Sequence, residues 1–295
     1  MHYVMKTEKI TADNDNRDLW SKGLKAGLTV LAGAAAGIAI YELIRRKNAQ
    51  NEASKTTTLV DTIKVIENGV VTRMMTFGWD NDEFCSWAKM VTFDAEGNGS
   101  EEKLIELEYA EDRILISEST GDEDMTPVFT TVLLDEYGMA KAFSKRSRSG
   151  RETRWDGTII GAELKELVSE EVTGTLDWSD GNVRSVACNE AVLQQMTYYK
   201  SIENHIFPDL NYLALGFTSD MLLTHILGTR TRNFLSTLEV IKDEEIAHYT
   251  FSYLFDAQDR PLQIHQELSV LDKKGDARPG AAISRTDYDL TYVVR

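Results

Sequence analysis

From residue 59 onward, apolar and polar residues alternate in short runs, and acidic or Gly-containing clusters interrupt them. An antiparallel sheet with one buried face requires this pattern, because successive side chains leave a strand on opposite faces. In Lys103–Tyr109, Ile105, Leu107 and Tyr109 fall on one face and Glu106 and Glu108 on the other. Tyr249, Phe251, Tyr253 and Phe255 form a second row, and Tyr288, Leu290, Tyr292 and Val294 a third. Aromatic rows of this kind are read as core.

Several hairpins can be named. Met90–Phe93 leads through an acidic Gly-Asn-Gly turn into Lys103–Tyr109, and Thr130–Leu134 leads through Asp135-Glu136-Tyr137-Gly138 into Met139–Phe143. Val172–Asp177 turns at Trp178-Ser179-Asp180-Gly181 into Asn182–Ala187, where Asp-Gly tolerates the positive φ a tight turn needs. Leu235–Ile241, Ile246–Phe255 and Leu262–Leu271 make a three-stranded meander with turns at 242–245 and 256–260. Asp209–Gly228 carries Leu and Met at both strand and helix spacing and is read as an irregular excursion covering one end of the sheet. The predicted fold is mainly β: a large curved antiparallel meander preceded by one hydrophobic helix.

That helix comes from a different pattern. Ala26–Tyr41 has no charged residue, with Lys22 and Lys25 before it and Arg45, Arg46 and Lys47 after. As a helix it would be about 24 Å long, short of a hydrocarbon core of roughly 30 Å unless flanking Lys and Arg snorkel. An uncleaved membrane anchor is the leading reading; a cleaved signal peptide and a helix packed within a soluble protein stand beside it. The flanking charges nearly cancel, so they leave the side of the membrane open. Gly23/Gly27, Gly33/Gly37 and Ala32/Ala36 have the small-xxx-small spacing that lets helices associate in lipid. The expected organisation is a polar tail (1–23), the anchor (24–47), a polar linker (48–58) and the β domain (59–295).

Charge narrows the partners. The formal net charge is −16, and the acid lies in the β domain, since the first 55 residues carry a small basic excess. Such a body repels phosphate backbones, so nucleic acid is not an expected partner. The cluster Lys145-Arg146-Ser147-Arg148, with Arg151 and Arg154, is read as a solvated loop. Cys85 and Cys188 have neither zinc-site nor disulfide-scaffold spacing; two free thiols are the simpler reading, and one bridge stays open.

No GxSxG elbow, HExxH helix or phosphate-binding Gly loop is present. Asp243, Glu244, Glu245 and His248, with His265 on a neighbouring strand, are the best metal candidates, but a charged hairpin turn explains them without a ligand; no metal or cofactor is expected. The acidic loops at Asp80, Asp82, Glu83 and at Asp122, Glu123, Asp124 lack calcium-loop spacing. Trp79, Trp87, Trp155 and Trp178 lie near predicted turns, where indoles stack on sugars or cap a β core.

Phe255-Asp-Ala-Gln-Asp-Arg-Pro-Leu262 resembles the Y-x-D-x-x-G-R turn of YD-repeat proteins, with Asp259 in place of the Gly. The order of Trp178/Gly181/Asn182, Tyr199/Asn204 and Tyr253/Asp256 resembles the exported Bacteroidetes domains of unknown function described as porin-like, DUF4595. The resemblance covers roughly residues 60–295 and implies a curved, many-stranded antiparallel sheet and an exported location, without an activity. Members usually carry a lipoprotein Cys, which this chain lacks after its apolar run.

Two functions are expected to compete. One is a cell-envelope-anchored β-sheet module that binds or scaffolds, with a glycan or an envelope protein as partner. The other is a polysaccharide-acting enzyme with paired carboxylates in a cleft. A lipid-facing barrel is disfavoured, because the outward positions of Lys103–Tyr109 are Glu.

Overall fold

The structure, a computed structural model, describes residues 58–80, 84–121, 126–135, 140–161, 163–211, 231–242, 245–277 and 283–293. The tail, the anchor run and nearly all of the linker lie outside these residues. Among the described residues no helix is long and apolar enough to cross a membrane.

The first nine strands are β1 (Thr58–Glu67), β2 (Val70–Trp79), β3 (Cys85–Phe93), β4 (Gly99–Tyr109), β5 (Arg113–Thr120), β6 (Val128–Leu134), β7 (Ala140–Arg146), β8 (Glu152–Ile160) and β9 (Glu163–Val168). The rest are β10 (Thr173–Ser179), β11 (Asn182–Cys188), β12 (Ala191–Glu203), the two-residue β13 (Ile206–Phe207), β14 (Asn233–Lys242), β15 (Glu245–Phe255), β16 (Pro261–Asp272) and β17 (Ser284–Tyr292). Neighbours in sequence pair antiparallel, with β12 passing over β13 to pair with β14. The last strand returns to the first, with Ile63 opposite Leu290 and Val65 opposite Tyr288. The meander is therefore a closed antiparallel barrel of 16 strands, and closure removes the unpaired edges that an open sheet would expose. Outside that ring, β13 lies parallel to the start of β1.

The alternation seen in the sequence sets the two faces. Ile105, Leu107, Phe251, Leu290 and Tyr292 are buried inside, and Glu102, Glu106, Glu108, Thr250 and Ser252 stand exposed on the outer wall. All the named hairpins form. The turn between β10 and β11 is tighter than its four-residue prediction. Only Asp180 (φ 54°) and Gly181 (φ 75°) turn, with Ser179 opposite Asn182, so Trp178 sits within the strand. Two consecutive positive φ values match the right-handed twist of the flanking strands.

A second turn type repeats. Asp94 N–H donates to Asn98 O, and Asp94 Oδ1 accepts from Glu96 N and Asn98 N. The same set recurs at Asp256–Arg260 and Asp272–Asp276. Gly97 and Gly275 hold the fourth position with φ of 82° and 85°; Asp259 holds it with φ of 58°, at the place where the YD-repeat turn has its Gly.

Because strands alternate in direction, the barrel has two ends. The base receives the chain at Thr58, returns it at Tyr292, and carries the β12-to-β14 connection. The tip carries the turns at 68–69, 94–98, 147–151, 189–190 and 272–276. Much of the fully buried core, including Val60, Ile63, Leu164, Val183, Phe234 and Leu235, packs toward the base.

Candidate functional site

At the base, the connection leaving β12 and entering β14 is tied by buried polar side chains. Asn182, Asn204, Asp209, Asn211, Thr231 and Asn233 are all buried. Asp209 accepts four hydrogen bonds: from Thr231 N (2.7 Å), Thr231 Oγ1 (2.8 Å), Asn211 N (3.0 Å) and Asn204 Nδ2 (2.8 Å). Burial nevertheless pushes the Asp209 carboxyl above its ordinary range, the four donors opposing that effect only in part. Asn182 joins the knot to the β10–β11 turn by donating to Asn233 Oδ1 and accepting from Asn233 N. Asn211 Nδ2 donates to Thr231 Oγ1 and Asn233 O, and Asn211 Oδ1 accepts from Leu235 N. The knot brackets residues 212–230, most of the predicted Leu-rich excursion, which lie outside the described residues. The Asn, Asp and Thr flanking that excursion were the available sequence signal for it.

Beside the knot is a cavity of about 30 Å³ lined mainly by apolar groups, among them Ile63, Leu210, Phe234, Phe251, Ile264 and Tyr288. It has room for about two water molecules and is too small for a sugar ring. Tyrosine hydroxyls brace the surrounding wall: Tyr198 donates to Val183 O, Tyr199 to Phe251 O and Tyr253 to Leu235 O, each at 2.8 Å. Burial raises Tyr198 and Tyr253 above their ordinary values and keeps them neutral.

Toward the tip the inward positions become charged. Glu118 Oε2 lies 2.7 Å from Lys103 Nζ and 3.7 Å from Lys145 Nζ, and Arg73 pairs with Glu67 at 3.5 Å. Thr120 Oγ1, opposite Lys103 in the register, is buried and has no hydrogen-bond partner among the described residues. Among the described residues, the inward carboxylates Asp209, Glu118 and Glu67 all have partners. Asp209 is saturated by the chain's own donors and Glu118 is shared by two lysines, so a glycosidase reading is not favoured.

The four tryptophans divide three to one. Trp79 and Trp178 spend their indole N–H groups on Val60 O (2.8 Å) and Leu164 O (2.7 Å), and Trp155 stacks on buried Phe143 with ring planes 12° apart. Trp87 alone lies on the outer wall, 38% exposed, with its indole laid over Gly78 where any Cβ would collide. The two histidines of the metal expectation also face outward. His248 pairs with Glu239 at 3.2 Å, and His265 with Asp287 at 2.7 Å, the latter shared by Arg285 at 3.0 Å. The Thr250–Glu267 pair separates them in the register, and Asp243 and Glu244 lie outside the described residues. Among the described residues no group of three or more His, Cys, Asp or Glu is placed to hold a metal. Cys85 and Cys188 are both free thiols; burial pushes Cys85 up to about 12.

The outer wall carries ionic groups in several sectors. Lys89 meets Glu102 at 2.8 Å on β3–β4, Arg154 meets Asp156 on β8, and the Glu239–His248 and His265–Asp287–Arg285 groups cover β14–β17. A lysine or arginine facing lipid near the bilayer midplane costs about 2–4 kcal/mol. Repeated charge at mid-strand positions suits water, whereas a lipid-facing barrel needs an apolar band there.

A closed antiparallel barrel whose wall strands average about nine residues has a solved counterpart. This is a porin-like fold. A porin-like protein from Bacteroides uniformis ATCC 8492 is similar over 81% of this chain and 100% of its own, with a TM-score of 0.61 and 14% sequence identity. No protein-family pattern matches the chain, and no curated protein matches it in sequence. The likeness is one of architecture. The porin-like barrel departs from a membrane porin in its ionic outer wall and its packed base.

Proposed function

We propose that this chain is a cell-envelope module of the exported porin-like group, held to a membrane by residues 24–47, whose barrel stands in water and serves to bind or scaffold. The ionic outer wall carries the reading, supported by the porin-like architecture and by the uncharged run with basic flanks that precedes the barrel. On this reading the small-xxx-small face at Gly23/Gly27 and Gly33/Gly37 pairs anchors in the bilayer. Partners meet the rim or outer wall, since the base is packed.

An engineered protease site within the 48–57 linker of the full chain tests this. Membranes from expressing cells should hold the uncut protein through alkaline washing, and cutting should release the barrel into the soluble fraction. Retention of the cut barrel in the membrane would overturn the water-standing barrel, and an uncut chain lost on washing would overturn the anchor.

A further inference from the structure

The β7–β8 hairpin reverses the charge of the molecule. Lys145, Arg146, Arg148, Arg151 and Arg154 stand there against two acids, Glu152 and Asp156, in a chain of formal net charge −16. The register separates them by face. Lys145 lies opposite buried Thr130 and points inward; Arg146 lies opposite Phe129, and Arg154 opposite Ser144, on the outer wall. The turn is fixed by Ser147 N–H donating to Arg151 O (2.8 Å) and Gly150 N–H to Ser147 O (2.9 Å), and it sets Arg148 and Arg151 on the exposed rim.

Internal counter-charges leave this rim only partly neutralised. Arg151 is 3.4 Å from Glu171 with both side chains about three-quarters exposed, a pair of little strength in water. Arg146 makes no ion pair or hydrogen bond through its side chain among the described residues. Arg154 is held by Asp156 through two nitrogens on one oxygen, with both side chains about three-fifths exposed. In the same row as Arg146, Phe129 presents a ring that is 44% exposed.

We propose that this rim binds a uronic-acid-type polysaccharide, its carboxylates received by Arg146 and Arg151 and the apolar face of a sugar ring by Phe129. The guanidinium fork matches a carboxylate in two-point geometry, and an aromatic ring in register with it supplies what a sugar offers besides charge. Screening over about 10 Å at 0.1 M salt separates the rim from the acidic bulk. The proposal deepens the glycan reading above and rests on it only for direction, since the hairpin is at the tip, away from the end where the chain arrives from residue 57.

Native electrophoresis of the full chain through gels containing polygalacturonate, dextran or polyglutamate, with flotation on phosphatidylglycerol vesicles, tests it. Polygalacturonate should retard the chain and dextran should not. Arg146→Gln with Arg151→Gln should weaken retardation about tenfold, as two lost solvent-exposed ionic contacts imply, and Phe129→Ala should weaken it on polygalacturonate while leaving any polyglutamate effect unchanged. No retardation by polygalacturonate, retardation indifferent to the arginine changes, or equal response to polyglutamate with no effect of Phe129→Ala would overturn the proposal; so would arginine-dependent flotation on vesicles without polygalacturonate binding. Unchanged circular dichroism certifies the exposed-site variants. The linker-cleavage assay does not involve the rim, so the two proposals fail separately.

Discussion

At the base of the barrel, polar groups are buried, interlocked and surrounded by core; at the tip they are half-exposed and paired in twos and threes. Asp209 satisfies four donors in a site closed to water, while Glu118 and Glu67 each meet cations that solvent also reaches. The difference teaches where this barrel keeps its stability and where it has freedom to change. A buried donor that loses its acceptor has no water to turn to, and a rim lysine that loses its carboxylate does.

The sharpest break of that comparison is in the core. Phe234, 1% exposed and packed on Tyr253 and Phe255 with ring centroids 5.1 and 5.8 Å away, should cost about 3–5 kcal/mol as Phe234→Ala in urea unfolding of the full chain. Asp209→Ala strands two backbone N–H groups and two side-chain donors, and a loss of about 3 kcal/mol is expected in the same measurement. At the tip, Lys103→Ala should cost less than about 1 kcal/mol, because its pair with Glu118 is already in contact with solvent. A tip substitution as damaging as the base ones would erase the distinction.

Proton linkage sharpens it further. With its folded value raised, Asp209 holds a proton more tightly in the folded chain than in the unfolded one. The stability this adds is fully present below the unfolded value, near ~3.9, and is lost as pH rises through the folded value. Wild-type stability should therefore decline relative to Asp209→Asn as pH rises from about 4 through the folded value. A parallel pair of pH profiles would contradict the shift.

The smallest effect is chemical. Cys85 lies at the base end of β3, with its thiol pushed up to about 12, and Cys188 lies at the tip end of β11. A thiol reagent at neutral pH should modify Cys188 first in the native chain and reach Cys85 only on unfolding, as read by mass spectrometry of digested protein.

Much of the fold could be read from alternation, because a period of two states which side chains share a face. Tyr249–Phe255 and Ile105–Tyr109 point inward as expected, and Asp180-Gly181 turns as expected. Closure could not be read, since pairing of Ile63 with Leu290 joins residues at opposite ends of the domain and leaves no local mark. The base knot was equally hidden: Asn182 and Asn233 are 51 positions apart, and only the closed barrel brings them together. Among the tryptophans, nearness to turns did not separate core from surface. Trp79 and Trp178 turn inward to core carbonyls, while strand parity places Trp87 outside, level with Glu106.

The ionic outer wall is the central claim, and spin labels on it give the most direct test. Labels at Glu106→Cys, Glu239→Cys and Glu267→Cys, in the full chain reconstituted into lipid vesicles, sample two sectors of the barrel, β4 and β14–β16, at mid-strand. All three should relax with a water-soluble nickel complex and stay insensitive to lipid-dissolved oxygen. Oxygen-dominated relaxation at all three positions would place the wall in lipid and contradict the account.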